Sequence, residues 1–295
     1  MTFQAATVSS LFEIARPRQW VKNTFVFAPL IFAKELGDPH LALRSLTAFL
    51  LFCCFSSCVY MINDIADLER DRLHPEKRNR PLPSGRLTVR LTVWACVILF
   101  TAASIFSALL SPKFLAIAWV YIATNLLYSY WWRSTVILDG MIIALGFVLR
   151  PYAGAVVINA KFSDWLYICA TFVSLFLAFS KRRHEIILLG DETAQNHREI
   201  LREYSTEFLD QIISVVTAAT AVSYSLYCID TVHTLAADPS SMKFTIPFVI
   251  YGLLRYLYLV YRKEEGGNPT EVLLTDKPLL VNGILWLAVV FWALY

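Results

Sequence analysis

The sequence predicts an all-α polytopic membrane protein that forms a single domain over residues 1–295, and three observations support this fold class. The mean hydropathy of +0.54 and the 57% of hydrophobic residues are too high for a soluble chain of 295 residues. The polar residues are gathered into a few stretches that separate long apolar runs. Aromatic residues make up 14% of the chain, and many lie near the ends of those runs, as in the aromatic belts at membrane–water interfaces.

The apolar runs predict nine transmembrane helices, of which the first is the least regular. It covers residues 23–33 and contains Pro29, so it is shorter than the ~20 residues that a span usually needs. The other predicted helices cover residues 41–62, 87–110, 114–132, 136–158, 165–180, 208–229, 244–261 and 278–294. A charged stretch over residues 181–207 follows the sixth helix. With nine crossings, the two termini are expected on opposite sides of the membrane.

The distribution of basic residues predicts the orientation. If the N-terminus is cytoplasmic, the cytoplasmic segments hold nineteen Lys and Arg residues and the outer segments hold five. Because cytoplasmic loops carry an excess of Lys and Arg, the N-terminus and the long polar loops are expected in the cytoplasm and the C-terminus outside. We therefore expect a protein of the cytoplasmic (inner) membrane, with its helices around a central cavity that opens to the cytoplasmic face.

An acidic segment, NDIADLERD, follows the second predicted helix. If that helix continues, Asn63, Asp64, Asp67 and Asp71 fall on one face. Carboxylates at this density repel one another unless a cation lies between them, and hard oxygen ligands suit Mg²⁺. The alternative is a solvated loop whose charges only orient the protein, but orientation needs bases and not a row of carboxylates. We predict that these four residues hold Mg²⁺ and that the three aspartates are catalytic.

A cluster of bases follows the acidic segment directly. It consists of Lys77, Arg78, Arg80 and Arg86. Lys and Arg at this density suit a phosphate or diphosphate group. Lys77 and Arg80 are therefore predicted to bind a phosphorylated substrate that enters from the cytosol.

A second polar group, KRRHE, ends the sixth predicted helix. Lys181 and Arg182 supply positive charge, and Glu185 lies one helical turn after Lys181. The alternative interpretation is an anchor that obeys the positive-inside rule. We predict that these three residues bind substrate.

Two arginines lie within predicted helices, where a charged side chain costs at least ~2.5 kcal/mol and should face a polar cavity or a partner. For Arg150 the alternative to substrate binding is pairing with an internal acid such as Asp139, and for Arg255 it is snorkelling or pairing near the cytoplasmic end. Further polar residues at predicted helix ends on the cytoplasmic face are Lys22, Tyr60, Asn125 and Tyr128. Of these, Lys22, Tyr60 and Tyr128 are included in the predicted substrate site.

These motifs resemble a known family. NDIADLERD fits the N-D-x-x-D-x-x-x-D motif of the UbiA superfamily of membrane prenyltransferases, which has nine transmembrane helices. The second Asp-rich motif of that superfamily, D-x-x-x-D, is replaced here by KRRHE, with Asp191 and Glu192 beyond it. RPRQWVKN, HPEKRNRPLPSG, GFVLRPYAG, KR-x-x-E and LLRYLY resemble one branch, the decaprenyl-phosphate phosphoribosyltransferases, and together they cover nearly the whole chain.

The resemblance implies a Mg²⁺-dependent glycosyltransferase of cell wall biosynthesis that moves 5-phosphoribosyl from phosphoribosyl diphosphate to a polyprenyl phosphate. It implies that the Asn63–Asp71 motif holds Mg²⁺ and that Lys181, Arg182 and Arg80 bind phosphate oxygens. The lipid bilayer is an expected partner, nucleic acid is not, and a homo-oligomer is left open. One alternative is prenyl transfer to an aromatic or quinone-precursor acceptor. Another is a transporter or lipid-binding scaffold, which broken helices and inverted repeats would favour.

Overall fold

The computed structural model describes residues 2–75, 77–132, 135–161, 163–197, 203–234, 241–263, 272 and 275–295. Nearly all of these residues are helical, and no β-strand occurs among them, which confirms the all-α class. The chain divides into two compact units, of which the first consists of Met1–Leu30, Leu36–Ser129 and Leu149–Ala160, and the second of Ile31–Glu35, Tyr130–Val148 and Lys161–Tyr295. A single domain over residues 1–295 stays a prediction.

Eleven α-helices are found in the described part of the chain. They are α1 (Thr2–Ile14), α2 (Ala28–Phe32), α3 (Pro39–Ala66), α4 (Leu68–Leu73), α5 (Val89–Leu110), α6 (Pro112–Tyr130), α7 (Leu138–Val157), α8 (Asp164–His197), α9 (Thr206–Thr234), α10 (Ile246–Tyr258) and α11 (Lys277–Leu294). Shorter elements are the 3₁₀ helices Pro17–Phe27, Lys77–Asn79 and Ser241–Thr245 and the π-helical turn Leu259–Lys263.

Seven helical segments in the described ranges are long and apolar enough to cross a membrane, so the chain is an integral membrane protein. They are Pro39–Ala66, Val89–Leu110, Leu138–Val157, Asp164–Ile187, Thr206–Ile229, Ser241–Lys263 and Lys277–Leu294. Several present apolar side chains outward, as lipid-facing helices do; in α5, Ile98 is 65% exposed and Leu109 is 78% exposed. The count of nine spans and the sidedness of the membrane remain predictions.

The first predicted helix differs from the expectation for a physical reason. Residues 23–33 do not form one helix, because the 3₁₀ helix Pro17–Phe27 is followed by the short α2. Pro29 has no backbone N–H and would clash with the carbonyl four residues earlier, so it is tolerated only in the first turn of an α-helix that begins at Ala28. The buried side chain of Asn23 then donates to Ser56 Oγ at 3.0 Å and fastens this segment to α3.

The sixth predicted helix is longer than expected. The apolar run ends at Ser180, but α8 continues through part of the predicted charged stretch to His197. Arg198 and Arg202, which entered the charge count, lie outside the described residues, as does Arg133. The side chains of Asp191 and Glu192 are also outside the described part.

In the first unit, the central part of α3 forms the buried core. Phe52 and Phe55 are fully buried, and the Phe52 ring lies 4.9 Å from the ring of Tyr121 in α6 and 6.4 Å from that of Phe114. The start of α3 is fixed by Asp38, whose carboxylate accepts hydrogen bonds from two backbone N–H groups of the first turn. The core therefore holds the far end of α3, where the acidic segment begins, in a defined position.

In the second unit, α8 packs along α9. Phe176 and Phe179 of α8 share a buried core with Leu209 and Ile213 of α9. The start of α11 is fixed by Asp276, which accepts a hydrogen bond from the backbone N–H of Leu279 at 2.9 Å.

The close approach of Gly154 to Val26 in the first unit yields a stability prediction. A Cβ at position 154 would collide with the backbone carbonyl of Val26, which cannot move aside as a flexible side chain could. Gly154→Ala is therefore expected to lower the free energy of unfolding by about 1–3 kcal/mol, in spite of the higher helix propensity of alanine. The matched control is Gly283→Ala in α11, where an added Cβ meets nothing within 4 Å. Equal thermal unfolding temperatures for the two variants in detergent would contradict the close approach.

Candidate active site

The acidic segment begins on α3 but does not continue as one helix. Helix α3 ends at Ala66, Asp67 has non-helical backbone angles (φ −94°, ψ 6°), and α4 begins at Leu68. The helix is therefore interrupted at Asp67, although helical hydrogen bonds still join the Asp67 N–H to the Asn63 carbonyl at 2.9 Å and the Asp71 N–H to the Asp67 carbonyl at 2.8 Å. That the four residues share one face stays a prediction. Asp64 and Asp71 are each 3% exposed, whereas the Asp67 side chain is 36% exposed and lies 3.5 Å from Arg70.

Arg80 brings the two buried carboxylates together. Its Nη1 atom lies 2.6 Å from Asp71 Oδ2 and 3.4 Å from Asp64 Oδ1. Lys77 Nζ is 3.9 Å from the other oxygen of Asp71. The neighbouring Asn63 presents its amide oxygen to the Ser129 hydroxyl, which donates to it at 2.7 Å. The acids and bases of this segment are thus paired with one another, with Arg80 as the link, and their roles toward Mg²⁺ and phosphate stay predictions.

Arg16 is part of the same cluster, although it was not among the predicted site residues. Its guanidinium forms an ion pair with Asp64 and lies 4.9 Å from the ring centroid of Tyr60. Its backbone is left-handed (φ 54°, ψ 59°), which is uncommon for a residue with a side chain. The sequence contains one sign of this backbone conformation, since Pro17 disfavours the right-handed helical conformation in the residue before it.

The donor set of this cluster fits Mg²⁺. Among the described residues, no three His, Cys, Asp or Glu side chains come together as a metal-binding group. Mg²⁺ usually needs only one or two carboxylates and takes its remaining ligands from water and substrate phosphates, however. Asp64 and Asp71 provide those carboxylates, and a cation already lies between them in the form of the Arg80 guanidinium.

The first two bases of the KRRHE group, Lys181 and Arg182, lie in different surroundings. Arg182 is buried with Asp139: its Nε lies 2.7 Å from Asp139 Oδ2, and its Nη1 lies 2.6 Å from Glu185 Oε2. The Lys181 side chain is 47% exposed, and its Nζ lies 3.9 Å from Glu185 Oε1. Arg182 therefore holds the buried carboxylate of Asp139 and the partly exposed carboxylate of Glu185 in place, whereas Lys181 extends from the surface of α8.

Tyr204 completes the surroundings of Asp139, which is fully buried. The Tyr204 hydroxyl donates to Asp139 Oδ1 at 2.8 Å and accepts a hydrogen bond from the Ile137 N–H at 2.6 Å. Burial raises the pKa of the Tyr204 hydroxyl, so this group stays protonated and donates at neutral pH. The sequence did not single out Tyr204, because nothing in the local pattern links it to Asp139, 65 positions earlier.

Arg150 has polar partners within the first unit. Arg150 donates to Asn23 Oδ1 at 2.8 Å and to the Tyr121 hydroxyl at 3.2 Å, and its guanidinium lies 5.5 Å from the Phe52 ring centroid. Asp139, the acid suggested as an alternative partner of Arg150, is instead bound by Arg182 and Tyr204.

Arg255 pairs with Asp276 at 2.8 Å, and this hydrogen bond lowers the pKa of Asp276 below its usual value. Arg255 thus joins α10 to the start of α11 within the second unit. Lys22 and Tyr128 are half-buried, and Tyr128 directly precedes the Ser129 that donates to Asn63.

The two units divide the predicted site residues between them. The first unit contains Lys22, Tyr60, Asn63, Asp64, Asp67, Asp71, Lys77, Arg80, Tyr128 and Arg150, and the second contains Lys181, Arg182, Glu185 and Arg255.

Comparison with known proteins agrees with these motifs. Residues 24–271 match the UbiA prenyltransferase family, so the chain belongs to that family, as the resemblance implied. It is 36% identical over 286 residues to a decaprenyl-phosphate phosphoribosyltransferase from Corynebacterium glutamicum, which covers 95% of this chain and 85% of the relative. A protein of the same name from Mycolicibacterium smegmatis is 32% identical over 301 residues, which covers 98% of this chain and 93% of the relative.

A solved structure shows the same fold. The UbiA homolog from Archaeoglobus fulgidus, bound to GPP and Mg²⁺, has a TM-score of 0.70 and covers 96% of this chain and 98% of its own. Its sequence identity is 19%, so this similarity concerns the fold alone.

Proposed function

We propose that this protein transfers the 5-phosphoribosyl group of phosphoribosyl diphosphate to a polyprenyl phosphate of the decaprenyl type and releases diphosphate, with Mg²⁺ as cofactor. The observation that carries the proposal is the cluster of Asp64 and Asp71, two buried carboxylates bridged by Arg80. It supplies oxygen ligands for a metal and a guanidinium for phosphate in one place. The names of the relatives that match nearly the whole chain support this choice of substrates.

The reaction forms one bond and breaks one. An oxygen of the lipid phosphate attacks C1 of the ribose, and the bond between C1 and the diphosphate oxygen breaks, so that diphosphate leaves with the bonding electron pair. The lipid phosphate is already anionic at neutral pH, and therefore no strong general base is required. The transition state at C1 resembles an oxocarbenium ion, which the negative charge of the departing diphosphate stabilises.

The roles of the residues follow from their charges. Asn63, Asp64, Asp67 and Asp71 would hold Mg²⁺, which when bound neutralises charge on the leaving diphosphate. Arg80 and Lys77 donate to diphosphate oxygens, because charge-assisted hydrogen bonds from Arg and Lys are strong and orient the anion. The apolar helix surfaces let a polyprenyl chain approach from within the bilayer. In this proposal the acidic segment faces the cytosol, where the soluble donor would be found.

Lys181 and Arg182 receive different roles in the proposal. Lys181, with its exposed side chain, binds an anionic oxygen of the donor. Arg182 acts as a positioning residue, because it is buried against Asp139 and holds Glu185 beside Lys181. A basic group at the position of the superfamily's second acidic motif suits a donor that carries a 5-phosphate in addition to its diphosphate, since a carboxylate there would repel that donor.

The role of Lys181 leads to a kinetic prediction. Because a charge-assisted contact contributes about 1.5–3 kcal/mol, Lys181→Ala is expected to lower kcat/KM for the donor roughly ten- to a hundredfold. The kcat/KM for the lipid phosphate should change much less. Steady-state kinetics with each substrate varied in turn will measure both, with Lys161→Ala as a control at an exposed lysine of the same unit. A loss confined to the lipid phosphate would assign Lys181 to the acceptor, and no loss would make KRRHE an orientation signal.

A direct assay tests the proposed function against prenyl transfer. Purified protein in detergent or nanodiscs receives phosphoribosyl diphosphate labelled in the ribose, together with a polyprenyl phosphate, and label is counted in the organic phase. The proposal predicts lipid-soluble label that requires both substrates. A second reaction offers a polyprenyl diphosphate and an aromatic acceptor. Product in the second reaction and none in the first would replace the proposal with prenyl transfer.

A further inference from the structure

The two buried carboxylates of the acidic cluster are balanced by two arginines of the chain itself. Asp64 pairs with Arg16, and Asp71 pairs with Arg80, which also lies 3.4 Å from Asp64. The carboxylate side chains are 4% exposed, whereas those of Arg16 and Arg80 are 28% and 33% exposed. The arginine side chains are therefore more accessible to a phosphorylated molecule than the carboxylates with which they pair.

Arg16 is held in this position by more than its charge. Its left-handed backbone, fixed next to Pro17, is a conformation that costs roughly 1–2 kcal/mol for a residue with a Cβ. Its guanidinium also lies over the ring of Tyr60, which itself belongs to α3 one turn before Asp64. An exposed loop residue whose only role was to anchor the chain at the interface would need neither feature.

We propose that Arg16 is the counter-ion of Asp64 in the resting protein and that it exchanges this carboxylate for the diphosphate of the donor when a divalent cation binds. A guanidinium and a metal ion compete for the same carboxylate oxygens and repel each other at that distance. The displaced guanidinium keeps its bidentate donors, which match diphosphate oxygens. This inference rests on the proposed function, since it assigns a further binding residue to that reaction.

The exchange couples metal binding to diphosphate binding. In the absence of diphosphate, a metal ion has to displace a guanidinium that gains no new partner, so metal affinity is low. With diphosphate present, the displaced guanidinium binds it, and each ligand raises the affinity for the other by the same factor. Arg16 is thus expected to weaken the binding of metal alone and to strengthen the binding of metal with diphosphate.

Mn²⁺, which accepts the same oxygen ligands as Mg²⁺ and is visible by electron paramagnetic resonance, provides the test. Free Mn²⁺ is titrated against purified protein with and without inorganic diphosphate, in the absence of any lipid substrate. Arg16→Gln is expected to raise the affinity for Mn²⁺ alone by about tenfold and to remove most of the increase that diphosphate causes in the wild type. Arg18→Gln, an exposed arginine two residues away, is the matched control and should behave as the wild type.

Unchanged or weaker Mn²⁺ binding by folded Arg16→Gln would overturn the proposal. If that variant does not fold, Arg16→Lys decides instead: it keeps the charge but loses the bidentate fork, so a reduced diphosphate effect supports the exchange and an unchanged effect overturns it. The test is separate from the proposed function. If the wild type transfers no ribosyl label, the proposed function is wrong, even where the exchange of Asp64 for diphosphate by Arg16 is measured. If the label is transferred and Arg16→Gln binds Mn²⁺ as the wild type does, only the proposed exchange is wrong.

Discussion

Asp64→Ala is expected to abolish transfer while the protein remains folded. The buried carboxylate is a predicted ligand of the cation that neutralises the leaving diphosphate, and a metal ion stabilises such charge by several kcal/mol, with each ~1.4 kcal/mol worth a factor of ten in rate. The rate should therefore fall by at least roughly a thousandfold. Asp67→Ala should give a comparable loss, because the half-buried Asp67 is also a predicted ligand of the metal.

Initial rates with saturating substrates, with and without EDTA, will measure this effect. Glu69→Gln is the matched control, because Glu69 lies in α4 between the predicted ligands Asp67 and Asp71. Its side chain is 82% exposed and pairs only with Arg72 among the contacts described. It should retain nearly full activity. Near-normal rates for Asp64→Ala, or full activity of the wild type in EDTA, would contradict a role for a metal ion bound by Asp64.

Arg182→Ala is expected to have the largest effect on stability. Truncation leaves the fully buried Asp139 carboxylate with Tyr204 as its remaining described donor, and breaking a buried ion pair in this way costs about 3–5 kcal/mol. Thermal unfolding in detergent should show a large drop in Tm. Arg72→Ala, which breaks an exposed pair, should change the free energy of unfolding by less than about 1 kcal/mol.

A double variant separates the buried pair from the other contacts of Arg182. Asp139→Asn removes the charge that Arg182→Ala leaves unpaired, so the double variant should be more stable than Arg182→Ala alone. If the two single effects simply add, the ion pair contributes nothing, and the interpretation of Arg182 as a positioning residue fails.

Much of the fold could be predicted from the sequence, because long apolar runs in a membrane protein specify helices directly. The limits of the prediction lie where one residue overrides the hydropathy pattern. A new helix begins beside Pro29 within an apolar run, and α8 continues beyond Ser180 because charged residues such as Lys, Arg and Glu also favour a helix. Neither the helix start beside Pro29 nor the extension of α8 can be recognised from the hydropathy of its segment.

The site was predictable in its composition but not in its pairing. The spacing of Asp64, Asp67 and Asp71 indicated an acidic cluster, and the bases that follow indicated an anion. The link made by Arg80 depends on how the chain turns after α4, and the break at Asp67 lies before that helix; no periodic pattern encodes either feature. Arg16 lies 48 residues before Asp64, and such a long-range contact leaves no local signal.

The most direct test of the central claim follows the two phosphate groups of the donor separately. Phosphoribosyl diphosphate labelled either at the 5-phosphate or at the terminal phosphate of the diphosphate is incubated with purified protein, Mg²⁺ and a polyprenyl phosphate. The account predicts that the 5-phosphate label enters the lipid phase and that the diphosphate label stays in water as free diphosphate. Diphosphate label in the lipid, or no lipid-soluble label from either donor, would contradict transfer of the 5-phosphoribosyl group.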